Sequence, residues 1–441
     1  MSKVKLKFTA FLENWTYFSV LTFLAALTFS TALMEITSVT MLAGWIILKV
    51  QAAHKTSLRA PSAEGGSASG RKGRSNPGAE IASSASPPRN DKWLNIDKKT
   101  FYFLSAYVFL SAVSLLWSEF PKQSFHGMFK ILQHFFLFWV VAETLASHQR
   151  QRTALRVLIF SFLFLGMDGI WQYLFGKDLL RGIAYEPASS GPRISASFKN
   201  YGLLASYLIS FLPLLASLLE KDGEKKKNGV TAFGILSGLL LLFWTRLRGA
   251  WVAFLGGTLF FLWVAKKRVY VLLVLLALGA APFILPRSMI IHLDSEGKEQ
   301  SLIERFYLWD RALQVIIARP LTGTGINTYA VAHQKYDRRQ NWRVRDYYAH
   351  NGYLQMAAET GLPSLACFLG FLFFYFRGTF QVFRGLSEEK EKRILLGILT
   401  GMVNFLILGL IDTTFHNQQA IMGFWFLAGW GMARLELLKN P

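Results

Sequence analysis

Two arginines stand almost without a loop between apolar runs in TRLRGAW, residues 245–251. A charge at membrane depth is costly and often functional. Gly249 and Ala250 follow Arg248 and permit close helix approach, which aims Arg248 at a cavity rather than at lipid. Arg246 reads equally well as a snorkelling side chain in a tight turn. A third arginine, Arg305, lies four residues before Trp309 in IERFYLWDRA, residues 303–312. That spacing puts both on one helix face, of the amphipathic kind that lies along a membrane surface. His350 opens a helix in YYAHNGYLQMAAETGLPSL, residues 347–365, with Asn351, Tyr353, Gln355 and Glu359 on the turns that follow. Arg343 and Arg345 come just before it and read either as substrate contacts or as solvated loop charges. Guanidinium groups match diphosphate oxygens in a bidentate way. A histidine titrates near neutrality and can take a proton from a hydroxyl. These residue types suit a lipid-linked pyrophosphate held by Arg248 and Arg305 as a leaving group. His350 would activate an acceptor hydroxyl for attack on an anomeric carbon. Arg246, Trp309, Arg343, Arg345, Asn351 and Tyr353 are the candidates for binding substrate around them.

Other chemistries have weaker support. Gly323 and Gly325 in RPLTGTGINTY, residues 319–329, resemble the start of a nucleotide-binding glycine motif, but no βαβ context surrounds them. A tight turn that positions the next segment is the better reading. No cofactor is expected. A metal site is not expected either: Asp294 and Glu296 are the sole close acidic pair of the large loop, and His292, His333 and His416 lack a ligand spacing. The single cysteine, Cys367, excludes an intramolecular disulfide and a cysteine-based cluster.

These residues must be positioned by membrane helices. The chain has 441 residues, 52% hydrophobic and only 17% charged, against about 25% charged in a typical soluble domain. About 20 apolar residues cross a bilayer. Twelve stretches qualify, near 17–33, 36–50, 100–117, 129–145, 153–175, 201–219, 229–245, 249–265, 269–285, 351–376, 394–412 and 418–433. Glu35, Thr37 and Ser38 divide the first apolar run into a hairpin. With the N-terminus inside, the short cytoplasmic loops carry fourteen Lys and Arg and the short external loops seven, as the positive-inside rule requires. Merging the first two spans would invert that bias.

The expected organisation is a helical hairpin at 1–50, a flexible basic cytoplasmic loop at 51–99, transmembrane helices 3–9 at 100–285, a large external loop at 286–350, and helices 10–12 at 351–441. The Ser-, Gly- and Pro-rich stretch at 51–99 lacks the apolar content for a core. The net charge of +21 could mean nucleic acid, but half the chain is lipid-compatible, so membrane lipids and an anionic substrate are the partners expected, and nucleic acid is not. Twelve spans also suit a transporter, with Asp168 the one mid-span acid that favours it. The halves of the chain look unalike and charges within spans are few, which argues against transport.

Taken together, Arg248-Gly249-Ala250, Arg305-x-x-x-Trp309, Pro320…Gly323-x-Gly325 and His350-Asn351-x-Tyr353-Leu354-Gln355 with Glu359 and Gly361 resemble the O-antigen ligase and polymerase superfamily. WSEFP at 117–121 and IWQYLFG at 170–176 are typical of it too. The resemblance covers most of the chain and is sharpest at about 240–365. It implies an all-α polytopic membrane protein of about twelve transmembrane helices with one large periplasmic loop, a GT-C-like glycosyltransferase architecture. It implies a place in the bacterial inner membrane, with the active site facing the periplasm. The reaction implied is metal-independent transfer of a glycan from undecaprenyl pyrophosphate to a lipid A–core sugar, or to a growing glycan in a polymerase. The family's key arginines correspond to Arg248 and Arg305 and its key histidine to His350, as a base or as an acceptor positioner.

Overall fold

The computed structural model describes residues 3–57, 97–187, 191–220, 225–284, 298–336 and 348–439. Within them the chain is helical. The first half is α1 (Lys3–Ala26), α2 (Thr31–Ser57), α3 (Lys98–Val113), α4 (Pro121–Thr144), α5 (His148–Phe175), α6 (Tyr201–Ala216), α7 (Lys225–Thr245) and α8 (Arg248–Val264). The second half is α9 (Arg268–Ile284), α10 (Lys298–Ala318), the short α11 (Tyr329–Ala332), α12 (Gly352–Thr360), α13 (Leu362–Gly385), α14 (Glu389–Leu408) and α15 (Gln418–Lys439). No strand forms among the described residues, and two isolated bridges, Lys177 with Ala184 and Glu186 with Arg193, shape the loop between α5 and α6.

Seven described helices are long and apolar enough to cross a bilayer: those at Thr31–Ala53, Lys98–Trp117, Pro121–Thr144, His148–Phe175, Asn228–Thr245, Leu362–Gly385 and Gln418–Lys439. Tyr201–Ala216 and Arg248–Val264 are shorter apolar helices. The chain is therefore a multi-pass membrane protein. Three of the twelve expected spans are drawn differently. The first hairpin breaks at 27–30, where the Ser30 hydroxyl accepts the Leu33 N–H, and not near Glu35. Thr37 and Ser38 lie inside α2 because their hydroxyls donate to carbonyls of their own helix. The stretch 351–376 is two helices, broken at Gly361 (φ +84°). Residues 58–96, most of the expected basic loop, lie outside the described residues.

Helix α15 is the axis of the bundle. Trp425 and Trp430 on it are buried, and it packs on α4, α6 and α14. In lipid, helices gain nothing from leaving water, so close packing holds them together. A second, smaller core joins α10, α11 and α12 through Ala312, Val315, Ile316, Tyr329, Ala357 and Ala358. The opposite side of α10 exposes Ile303, Phe306, Leu313 and Ile317, an apolar stripe of the kind an interfacial helix presents to lipid. Gly323 (φ +63°) and Gly325 (φ +107°) form the tight turn read from the sequence. Its N–H groups at Thr324 and Gly325 donate to the Ala358 and Glu359 carbonyls, so the turn locks α10 to the end of α12. Asp168, the one candidate transport acid, accepts the Leu179 N–H at 2.7 Å and anchors the loop after α5.

Candidate active site

Helix α12 and the loop 409–417 hold the histidine. Asn351 caps α12, its side-chain oxygen accepting the N–H groups of Tyr353 and Leu354 at 3.0 Å each. The Gly352 N–H donates to the Gly409 carbonyl at 2.7 Å, which ties the two segments at their start. His350, immediately before the cap, has φ +48°. A non-glycine residue in that region carries strain of about 1–3 kcal/mol, which neighbouring structure must hold in place. Part of that hold comes from Trp309, whose indole N–H points at the His350 carbonyl oxygen at 3.4 Å.

The His350 Nδ1 lies 3.7 Å from Asp412 Oδ1, an ion-pair distance, with both side chains about 30% exposed. Burial pushes the Asp412 carboxyl up. The adjacent His350 ring, the Thr413 N–H and the charge of Arg305 outweigh that and hold it below the usual carboxylate range. Asp412 is therefore an anion at neutral pH. An anion there orients the imidazole and stabilises it when it takes a proton. Arg305 acts on the same carboxylate, so α10, α12 and the loop 409–417 converge on one charged cluster.

The start of α8 lies beside this cluster. A side chain on Gly249 would meet Ile411 Cδ1 at 2.9 Å, one residue from Asp412, so the start of α8 packs close against that loop. Arg248 is exposed at the first turn of α8, which has no side-chain cap. Open N–H groups and the helix dipole favour an anion there. Arg246 (φ +53°) makes the turn between α7 and α8 and donates from Nε to the Pro192 carbonyl at 3.2 Å.

The structure thus gathers His350, Arg305 and Trp309 directly and sets Arg248 at the neighbouring helix end. Among the described residues no hydrogen bond or ion pair joins Arg246 or Arg248 to His350. Asn351 serves as a helix cap, and the Tyr353 hydroxyl donates to the Leu406 carbonyl at 3.0 Å, so both have internal partners. Arg343 and Arg345 lie outside the described residues.

Asp412 was not singled out in the sequence, although a polar DTTFHNQ break between two apolar runs marks it. Arg193 was also missed as part of a group. It donates to Glu186 Oε1 at 3.0 Å and to the Tyr201 hydroxyl at 3.1 Å, and Tyr201 feels the charge of Asp412 as well. Nothing in sequence spacing links residues 193 and 412. No group of three His, Cys, Asp or Glu side chains among the described residues comes together as a metal site would require.

Residues 233–369 match the family model described as O-antigen ligase. That segment is similar to O-antigen ligases. The ligase-family segment runs from α7 into α13 and includes Arg246, Arg248, Arg305, Trp309 and His350. It leaves Asp412 and Arg193 to flanking loops. Two Rickettsia proteins named as candidate polysaccharide ligases are similar to it. The one from Rickettsia typhi is 24% identical over 42% of this chain and 46% of its own length. The one from Rickettsia conorii is 23% identical over 53% of this chain and 57% of its own. The chain thus spans about half the length of these two relatives. The exopolysaccharide production protein ExoQ of Rhizobium meliloti is 22% identical over 68% of this chain and 70% of its own.

Proposed function

We propose that the protein is a glycan ligase of the bacterial inner membrane that works at the periplasmic face. It transfers a glycan from a polyprenyl pyrophosphate, undecaprenyl pyrophosphate in the ligase family, to a sugar hydroxyl of lipid A–core. The acceptor hydroxyl oxygen attacks the anomeric carbon while the bond from that carbon to the pyrophosphate oxygen breaks. The hydroxyl proton passes to His350, and the imidazolium is stabilised by Asp412. Arg305 and Arg248, with the open N–H groups at the start of α8, take up the charge that develops on the leaving pyrophosphate, where fixed positive groups accelerate most. Trp309 and Asn351 hold His350 in its left-handed backbone conformation. Arg246, Arg343, Arg345 and Tyr353 remain candidates for contacts to substrate.

The observation that carries this reading is the convergence of His350, Asp412 and Arg305 beside the exposed Arg248, within and against the ligase-family segment. The test is a reconstituted transfer assay with purified protein, undecaprenyl-pyrophosphate glycan and lipid A–core, with EDTA present. Transfer by wild type and its loss in His350→Ala is the expected result. Absence of any product from wild type would overturn the reading and restore transport as the competitor.

A polymerase of the same superfamily is the second reading. ExoQ, whose match covers the largest share of this chain among these three relatives, is named for exopolysaccharide production. On this reading the acceptor is a growing glycan, and the assay yields lengthened donor chains in place of a glycosylated lipid A–core.

A further inference from the structure

A cavity of about 80 Å³ lies inside the bundle beside α12, and the mechanism above does not use it. Its walls come from α4, α12 and the loop 409–417, with Trp425 of α15 and Phe415 as aromatic faces. It begins at Gly352, two residues past His350.

The polar lining is built around Gln355, which is buried. Its amide nitrogen donates to His416 Nδ1 at 3.1 Å and to Glu359 Oε1 at 3.2 Å. Its amide oxygen is buried with no partner. A buried acceptor without a donor costs about 1–3 kcal/mol, so something with a hydroxyl or N–H is expected against it. Because His416 Nδ1 accepts, the His416 ring N–H is at Nε2. Glu359 also accepts the N–H groups of Asn327 and Tyr329. Lys130 lines the cavity beside Glu359 without forming an ion pair among the described residues, and its charge acts on both Glu359 and His416. Burial raises the Glu359 carboxyl to about 7 and, with Lys130, lowers His416 to about 4. At neutral pH the imidazole is therefore neutral, and Lys130 and a partly ionised Glu359 are the charged groups of the lining.

Donors (Lys130 Nζ, His416 Nε2) thus alternate with an unmet acceptor (Gln355 Oε1) beside aromatic rings. A group that both donates and accepts on one atom fits that alternation, and a hydroxyl does so. A pyrophosphate does not, since it only accepts. The volume is below the roughly 150 Å³ that accommodates a benzene ring, so a whole ring or a polyprenyl chain is excluded and one edge of a sugar is not. Gln355 lies on the first turn of α12, whose cap Asn351 directly follows His350.

We propose that this cavity is a carbohydrate subsite that receives hydroxyl groups of the acceptor glycan while its reacting hydroxyl is at His350. The inference rests on the transfer reaction proposed above and adds the place where the acceptor is held.

The test separates the two. In the reconstituted assay, Lys130→Met raises the KM for the acceptor about tenfold, the size expected for one hydrogen bond to a charged group, and leaves the KM for the donor and kcat within about twofold. Gln355→Met does the same. A second readout needs no turnover. With Cys367 replaced by Ser, the variant Met356→Cys places a thiol on the cavity wall for maleimide labelling. Free core oligosaccharide slows that labelling, and inorganic phosphate does not. If wild type transfers nothing, the functional proposal fails while the labelling still tests the subsite. Unchanged acceptor KM with no protection by oligosaccharide would show a water-filled void and overturn the subsite. Protection by phosphate alone would make it an anion site and overturn it equally.

Discussion

Two arginine–carboxylate clusters lie near the two ends of α14, about 30 Å apart by helix rise. At the start of the helix, Arg434 pairs with Glu391 and donates to Gln151 Oε1 at 2.6 Å, and the two charged side chains are only 5% and 9% exposed. Just past its end, Asp412 faces His350 and feels Arg305, with His350 and Asp412 near 30% exposed. The first cluster is enclosed and joins α5, α14 and α15. The second is open, strained at His350 and accompanied by Arg248, which has no partner among the described residues. The same residue types therefore do opposite work. Where protein supplies the counter-charge, an arginine fastens helices. Where it does not, the positive charge is left for a ligand.

Breaking the enclosed cluster gives the largest effect. Arg434→Met leaves Glu391 buried without its cation, and removal of one partner of a buried pair costs about 3–5 kcal/mol. Thermal unfolding in detergent should show a marked loss, partly recovered in the double variant Arg434→Met/Glu391→Gln. An unchanged midpoint would show that this pair fastens nothing. The open cluster should respond the other way. Arg305→Gln lowers transfer roughly a hundredfold, the effect of removing one preorganised donor to a developing anion, while the unfolding midpoint stays put. A large stability loss there would erase the contrast between the two ends. Asp412→Asn keeps the shape but removes the anion behind His350. Transfer should fall at least about tenfold, and less than in His350→Ala.

The site end has a pH response that the other end lacks. The Glu359 carboxyl stands at about 7 when folded, from an ordinary 4.5, because it is buried. Between those values the folded chain holds a proton that the unfolded chain has lost. The Glu359 contribution to stability therefore falls as pH rises from about 4.5 to about 7, by roughly 1–3 kcal/mol in all, while His416, lowered by burial from 6.5 to about 4, contributes in the opposite sense over nearly the same window. Melting curves of wild type and Glu359→Gln should diverge across this window, with wild type losing stability relative to the variant as pH rises. The smallest effect is expected at the cap: Asn351→Ala should cost about 1 kcal/mol and Asn351→Asp much less, with transfer falling alongside because His350 precedes the cap.

Much of the architecture was legible because lipid permits so few solutions. Apolar length and the lysine and arginine bias located most helices, and the motif around His350 and Arg305 marked the ligase-family segment. The first break was misplaced because hydroxyls such as those of Thr37 and Ser38 look like interruptions in a sequence. Inside a helix they bond to the preceding turn. The break at Gly361 was hidden because nothing in an apolar run distinguishes a glycine at φ +84° from one inside a helix.

His350, Arg305, Arg248 and Trp309 stand out as candidates by type and spacing, since a guanidinium beside an apolar span or an imidazole opening a helix is chemically conspicuous wherever it stands. Asp412, Arg193 and Lys130 were not, because their importance lies in what faces them. Asp412 follows His350 by 62 positions, and only the packing of α12 against the loop 409–417 makes them a pair. The sequence by itself determined a helical membrane protein with a cationic, histidine-bearing face, because apolar length and uncompensated charge are local properties. The tertiary structure alone decided which carboxylate restrains that histidine, which arginine is already neutralised and which hydrogen-bonding atom is left unmet, because those depend on distance and burial across helices remote in the chain.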